Sequence, residues 1–349
     1  MKKALIGLLL LLVGSGLVVG GYFWQRDHHL TEFARAPFGG TETRLVLIPP
    51  RTGPKGMAAL LAKGGVISNA EDFYGWLRRE KLAPKMKAGE YEFTQAMTPP
   101  EVTQKLISGQ QKQYHFTVPE GLRVDEILPI LASSELLLDL GALEALAKDS
   151  GFVHRSGAPA RSLEGFLFPD TYSFTRGFTE ESVLTKMVSR ALEEYRKANE
   201  RRKAGVKLNL LQTMTLASIV EKETGQPSER PRIACVFHNR LRLNMKLQTD
   251  PTVLYAMMLI RGKFIKNITS QDLVTPHPYN TYTTSGLPPG PIASPGAAAI
   301  NAALDPPDCK DIYFVSNNNG SSIFCPDLKC HNAAVETWQK AYFRKKHAR

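Results

Sequence analysis

The sequence predicts an α+β protein in three parts: an N-terminal transmembrane helix, one or two small strand-and-helix units, and a larger helix-rich α+β domain. Three observations carry this. Residues 4–24 hold no charge; from residue 44 short strands alternate with short helices; beyond residue 162 the segments become longer, more aromatic and helical in their apolar spacing. A chain of 349 residues has room for two or three domains, and with 43% hydrophobic and 22% charged residues most of it should fold. The expected divisions are 1–25 (cytoplasmic tip and anchor), 26–43 (linker), 44–150 (small α+β region) and 151–349 (helix-rich domain).

The run ALIGLLLLLVGSGLVVGGYFW, as a helix, reaches about 30 Å, the thickness of a hydrocarbon core. Lys2 and Lys3 precede it, whereas residues 25–45 balance three arginines against three acids. The positive-inside rule then keeps the N-terminus in the cytoplasm and puts the rest on the periplasmic or extracytoplasmic side of the inner membrane, held by a single pass. A cleaved signal peptide is the alternative, with Val19-Gly20-Gly21 as its cleavage site, but the apolar run exceeds a typical signal core. The formal net charge of +11 calls for an acidic partner. Export argues against nucleic acid and leaves an anionic wall polymer or lipid surface.

Four cysteines would then lie in an oxidising compartment. Cys235, inside an apolar helical run, reads as a buried free thiol. Cys309, Cys325 and Cys330 allow one disulfide whose pairing the sequence leaves open; a zinc site adding His331 matches no standard ligand spacing.

Strands are expected at Arg44–Ile48 and Gly89–Phe93, and helices at Gly56–Lys63 and Ala70–Glu80. Thr98-Pro99-Pro100-Glu101 has capping-box spacing and should open a helix to about Ser108. A similar order comes next: a strand at Tyr114–Val118, then helices at Arg123–Ala132 and Gly141–Lys148. A strand, a turn and two short helices resembles a LysM-like glycan-binding module, a likeness of fold alone.

In the last part, LEGFLFPDTYSF (163–174) is aromatic-rich and 180–203 reads as a solvated helix packed on one side. Residues 210–224 form a strong helix candidate closed by Gly225. On it Leu216, Ile219, Val220 and Glu223 share one arc, and Glu221 points elsewhere. Desolvation and the negative end of the helix dipole should both raise the pKa of Glu223, which suits a general acid. The plainer reading is a surface Glu paired with Lys222 or Arg230. Asp250-Pro251 reads as N-cap and first residue of another helix, preceded by a short strand that presents Gln248 and Thr249. The Pro/Gly-rich segment 276–296 carries Tyr279, Asn280 and Tyr282, whose rings and amides suit a sugar groove.

These segments resemble the MltG-type endolytic murein transglycosylases, the YceG-like family, over most of the chain. The motifs that carry the likeness are LEGFLFPDTY (163–172), ASIVEKET (217–224), VFHNRL (236–241), LQTDPTVLYA (247–256), PYNTY (278–282) and GLPPGPIASPG (286–296). The resemblance implies that Glu223 is the catalytic acid and then base. It implies cleavage of the MurNAc–GlcNAc β-1,4 bond within peptidoglycan strands to leave 1,6-anhydroMurNAc ends, with no metal or diffusible cofactor. Asn239, Gln248, Tyr279, Asn280 and Tyr282 match positions expected to line the groove, Glu164 matches a motif that would support it, and penicillin-binding synthases are expected partners. Cys309, Cys325 and Cys330 depart from the family pattern. Two readings compete: a lysozyme-like hydrolase with Glu164 or Asp250 as a second carboxylate, and a non-catalytic wall-binding or scaffold protein.

Overall fold

The structure, a computed structural model, describes residues 2–341, and the backbone divides into two compact units. The first comprises the chain through Tyr114 together with Phe174–Gly177; the second comprises His115–Ser173 and the chain from Phe178 onward. Residues 115–150 therefore sit in the second unit.

In the first unit a long helix, α1 (Lys2–Arg35), is followed by β1 (Arg44–Ile48), α2 (Pro54–Lys63), α3 (Ala70–Arg79), β2 (Gly89–Phe93) and α4 (Pro99–Ser108). β1 and β2 pair antiparallel, with Arg44 opposite Phe93 and Ile48 opposite Gly89. Alternation along β1 turns Val46 and Ile48 inward and leaves Leu45 and Leu47 exposed. Phe73, Leu77, Leu61, Tyr91 and Leu106 complete the core. Asn69 caps α3 by accepting from the Glu71 and Asp72 N–H groups, and Glu101 accepts the Thr98 N–H at 2.7 Å to open α4.

At the N-terminus the helix runs further than the sequence predicts. No helix among the described residues is long and apolar enough to cross a membrane. The apolar run over 4–24, part of whose side chains lie outside the described residues, is the first part of a 34-residue helix that continues through Arg26, Asp27 and Glu32 to Arg35. The stretch read as a linker is thus helical to Arg35. Tertiary contacts hold it there: Leu30 is buried in the first unit's core, and Arg79 donates to the Asp27 carboxylate at 3.0 Å.

The second unit contains β3 (Tyr114–Thr117, entering from the first), α5 (Val124–Ala132), α6 (Leu140–Lys148), α7 (Ser150–Arg155), β4 (Thr171–Phe174, paired with β3) and α8 (Glu180–Glu200). Then come α9 (Leu210–Glu223), α10 (Arg230–Arg242), α11 (Asp250–Arg261), α12 (Ser270–Val274), α13 (Ala297–Leu304), the β5–β6 hairpin (Tyr313–Ser316 and Ser322–Cys325) and α14 (Leu328–Val335). α9 is the centre of this unit. Every residue from Thr213 to Glu221 is buried, and α10, α11 and α13 pack around it. Leu216, Ile219 and Val220 are fully buried, each contributing about 1.5–3 kcal/mol. Asn209 and Gln212 form a reciprocal capping box at its start.

The Pro/Gly-rich segment before α13 is irregular but tightly held. Ser218 Oγ on α9 accepts the Ile292 N–H at 3.0 Å, and Ser294 exchanges backbone bonds with Gly121 and Leu122. Gly165 meets it at φ +79°, where a Cβ would stand 2.2 Å from Pro291, so the LEGF and PPGPIAS segments approach as closely as a glycine allows.

One disulfide forms among the three C-terminal cysteines, as expected, but Cys235 is not a free thiol. Cys235 is bonded to Cys309 and Cys325 to Cys330, with no free thiol among the described residues. Cys235 is buried because α10 lays it against the segment that follows α13, 74 residues along, a proximity invisible to local periodicity. Among the described residues no group of three His, Cys, Asp or Glu side chains is arranged as metal ligands.

Candidate active site

Helix α9 ends at Glu223, and the side chains around that end decide the environment of the carboxyl. Glu221 turns to the opposite side, where it binds Arg230 and accepts the Gly296 N–H at 3.0 Å; Arg230 also reaches Glu120 at 3.1 Å. Lys222 donates to the Gly121 carbonyl at 3.0 Å. Both cations that the surface-pair reading offered to Glu223 are therefore engaged elsewhere.

Glu223 opens instead into a polar cavity of about 220 Å³, lined also by Arg240, Leu247, Gln248, Asp250, Tyr282 and Phe314. Its Oε1 accepts a hydrogen bond from the Thr249 hydroxyl. Burial raises its pKa to about 7; the Thr249 bond works against this, the neighbouring Asp250 charge adds to it and Arg240 subtracts. Arg240 makes no ion pair among the described residues. Its guanidinium donates to the carbonyls of Ile312 (2.7 Å), Leu247 (2.8 Å) and Lys246 (3.2 Å), bracing two walls of the cavity. Tyr282 donates to Asp250 Oδ1 at 2.7 Å.

The expected short strand before Asp250 does not form. Gln248 holds φ +49°, in the left-handed region, and turns the chain directly into α11, with Thr249 rather than Asp250 at the N-cap. Asp250 becomes the first residue of the helix, where a carboxylate suits the dipole and can still reach the cavity.

Of the residues named from the sequence, Glu223, Gln248, Asp250 and Tyr282 converge on this cavity. Glu164 and Tyr279 line a second one of about 610 Å³, with Arg161, His277, Leu259 and Pro291 among its walls. There Glu164 accepts from the Val124 N–H and from Tyr255 Oη, both at 3.2 Å, and burial raises its pKa to about 7 as well. The Tyr255 and Tyr279 rings lie 4.9 Å apart. Asn239 and Asn280 serve the scaffold instead. Asn239 Nδ2 donates to the carbonyls of Cys309 and Asp311, both at 3.0 Å. Asn280 is fully buried; its Nδ2 donates to the carbonyls of Asp272, Leu273 and Thr275, and its Oδ1 accepts the Tyr282 N–H. Its amide shapes the loop that presents Tyr282.

Thr249, Arg240, Tyr255 and Thr281 also belong to the two sites. Each lies inside or beside a motif read from the sequence, yet nothing in a hydroxyl or guanidinium residue type says which polar group it will meet in the fold.

Helix α9 thus ends on a carboxyl of raised pKa that lines a polar cavity. The chain belongs to the YceG-like family, whose profile matches residues 46–337. It is 31% identical over 337 residues to the endolytic murein transglycosylase of Bacillus subtilis (strain 168), covering 92% of this chain and 91% of that one. It is 28% identical to the endolytic murein transglycosylase of Streptococcus pneumoniae (strain D39), covering 88% of this chain and 60% of that longer relative. A crystal structure of a yceG-like protein from Listeria monocytogenes superposes with a TM-score of 0.55 at 31% identity, covering 84% of this chain and 99% of the other.

Proposed function

We propose that this chain is a lytic murein transglycosylase that cuts the MurNAc–GlcNAc β-1,4 bond within glycan strands, with Glu223 as the single acid/base. The relatives' names support the enzyme class. The observation that carries the residue assignment is the Glu223 carboxyl itself, uncharged up to about pH 7 in a polar cavity, with the nearby cations engaged elsewhere.

In the reaction, protonated Glu223 delivers its proton to the departing GlcNAc oxygen as positive charge builds at MurNAc C1. The resulting carboxylate removes the proton from the MurNAc C6 hydroxyl, and that oxygen closes on C1. One glycosidic bond breaks and one anhydro bond forms, with no water consumed. The nucleophile belongs to the substrate, so proximity replaces a protein nucleophile, and neither metal nor diffusible cofactor is needed. Arg240, Asp250 and Tyr282 would surround the reacting sugar. The Glu164 cavity would take a further part of the strand, with the Tyr279 ring as a stacking face. The strand–helix–helix–strand order of the first unit supports a LysM-like glycan-binding role there, and two disulfides suit work in an oxidising envelope compartment.

A hydrolase is the second reading, because Asp250 lines the same cavity as Glu223 and offers a second carboxylate. Mass spectrometry of peptidoglycan digested by the full chain and by Glu223→Gln decides between them. Anhydro ends from the wild type alone support the transglycosylase. Reducing ends make it a hydrolase, and undiminished cleavage by Glu223→Gln removes Glu223 from the chemistry.

A further inference from the structure

Thr249 occupies the N-cap of α11 but does not cap it. A threonine there ordinarily turns its oxygen onto an N–H of the first turn, a bond worth about 1 kcal/mol. Here no such bond forms, and the hydroxyl hydrogen goes to Glu223 Oε1. The preceding residue, Gln248, holds a left-handed φ of +49°, a conformation that costs a non-glycine residue on the order of 1 kcal/mol or more. A lost cap beside a strained residue calls for a compensating purpose.

Behind Thr249 a buried ladder of hydroxyls fixes its backbone. Thr252 Oγ1 donates to the Thr249 carbonyl at 2.7 Å, which leaves Thr281 as the donor in the 2.8 Å contact between the Thr252 and Thr281 hydroxyls. Thr281 Oγ1 in turn accepts the Thr249 N–H at 3.1 Å. All three threonines are buried. Donors and acceptors are thus assigned around the Thr249 backbone, and among the described residues its hydroxyl donates to the Glu223 carboxyl.

We infer that Thr249 is a positioning residue: with its backbone held by Thr252 and Thr281, its hydroxyl occupies Oε1 of Glu223 so that the transferable proton resides on Oε2. A free carboxylic acid carries its proton on either oxygen; a donor on one oxygen excludes it from that side. The strain at Gln248 and the empty cap are then the cost of aiming one hydroxyl. The same bond favours the ionised carboxyl and so tempers the rise in pKa that burial imposes. This inference rests on the reading of Glu223 as the acid.

The test is the pH–rate profile of the full chain on isolated glycan strands, for wild type, Thr249→Ser, Thr249→Val and Thr249→Ala. Val and Ala remove the donor; Ser keeps it. Both donor-free variants should lose about tenfold or more in kcat with KM changed little. Their alkaline limb should move upward by roughly one pH unit, since the ionised form of Glu223 loses a hydrogen bond. Ser should restore the limb and most of the rate. Should Val fail to fold, judged by thermal melting, Ala carries the same comparison with less steric demand. An unmoved alkaline limb in a folded donor-free variant, or a Ser variant as impaired as Ala, overturns the inference. Undiminished cleavage by Glu223→Gln would instead overturn the reading beneath it, so the two failures are separable.

Discussion

Arg230 is bonded to Glu221, while Glu223, two residues further along α9, has no ion-pair partner among the described residues. At 100° per residue the two carboxyls diverge, so one helix end supplies both a charged structural anchor and a desolvated acid. Glu221 ties α9 to Arg230 and to the start of α13 through Gly296.

Replacing Glu221 with Gln should therefore act on stability more than on chemistry. It leaves Arg230, itself buried, with Glu120 alone, a change that costs about 3 kcal/mol for a buried pair. Thermal melting should drop by several degrees, and the alkaline limb of the rate profile should stay where it is. A shifted limb would mean that Glu221 shares the acid's role.

Cleavage should decline as pH rises through about 7, because the first step needs Glu223 protonated and its pKa lies there. Above that point kcat should fall by about tenfold per pH unit. Glu164→Gln should leave this limb unmoved and raise KM, since Glu164 lies in the other cavity. A limb that disappears in Glu164→Gln would reverse the two assignments.

The same two carboxyls make a prediction about folding. Both have folded-state values near 7, above the usual value of 4.5, so the folded chain holds these protons more tightly than the unfolded one. The contribution is fully present below about pH 4.5 and is lost as pH rises through about 7. At pH 8 each ionised group should weaken the fold by about 1–3 kcal/mol. Glu223→Gln and Glu164→Gln should hence melt higher than wild type at pH 8, with the gain shrinking at pH 5. Equal melting at both values would place these carboxyls in contact with solvent.

The two disulfides should differ in weight. Cys235–Cys309 closes 74 residues of separation and Cys325–Cys330 only 5. Chain entropy assigns about 4 kcal/mol to the first and about 2 to the second. Melting of the Cys235→Ser/Cys309→Ser and Cys325→Ser/Cys330→Ser double variants should follow that order. The first pair also holds the segment whose Cys309 and Asp311 carbonyls receive Asn239, so its loss should reduce activity as well.

Much of this molecule is written locally. β1, β2 and α9 fall where alternation, apolar spacing and capping residues put them, because each depends on neighbours a few positions away. Glu223 is legible for the same reason: a carboxylate on the apolar arc of a helix end is buried by any packing that buries the arc. The resemblance to the family rests likewise on contiguous motifs. What the sequence leaves open is how partners are assigned across the fold. An asparagine that meets a sugar and one that meets a carbonyl are the same residue, so Asn239 and Asn280 read as groove residues in the sequence and are scaffold pins in the fold. Cys235 finds a partner 74 residues away. Thr249, an ordinary threonine before Asp-Pro, acquires its place from the left-handed turn at Gln248 and the Thr281 hydroxyl. Periodicity determined which faces are buried; only the folded chain decided which polar groups meet there, because hydrogen bonds act over about 3 Å and sequence distance says nothing about that separation.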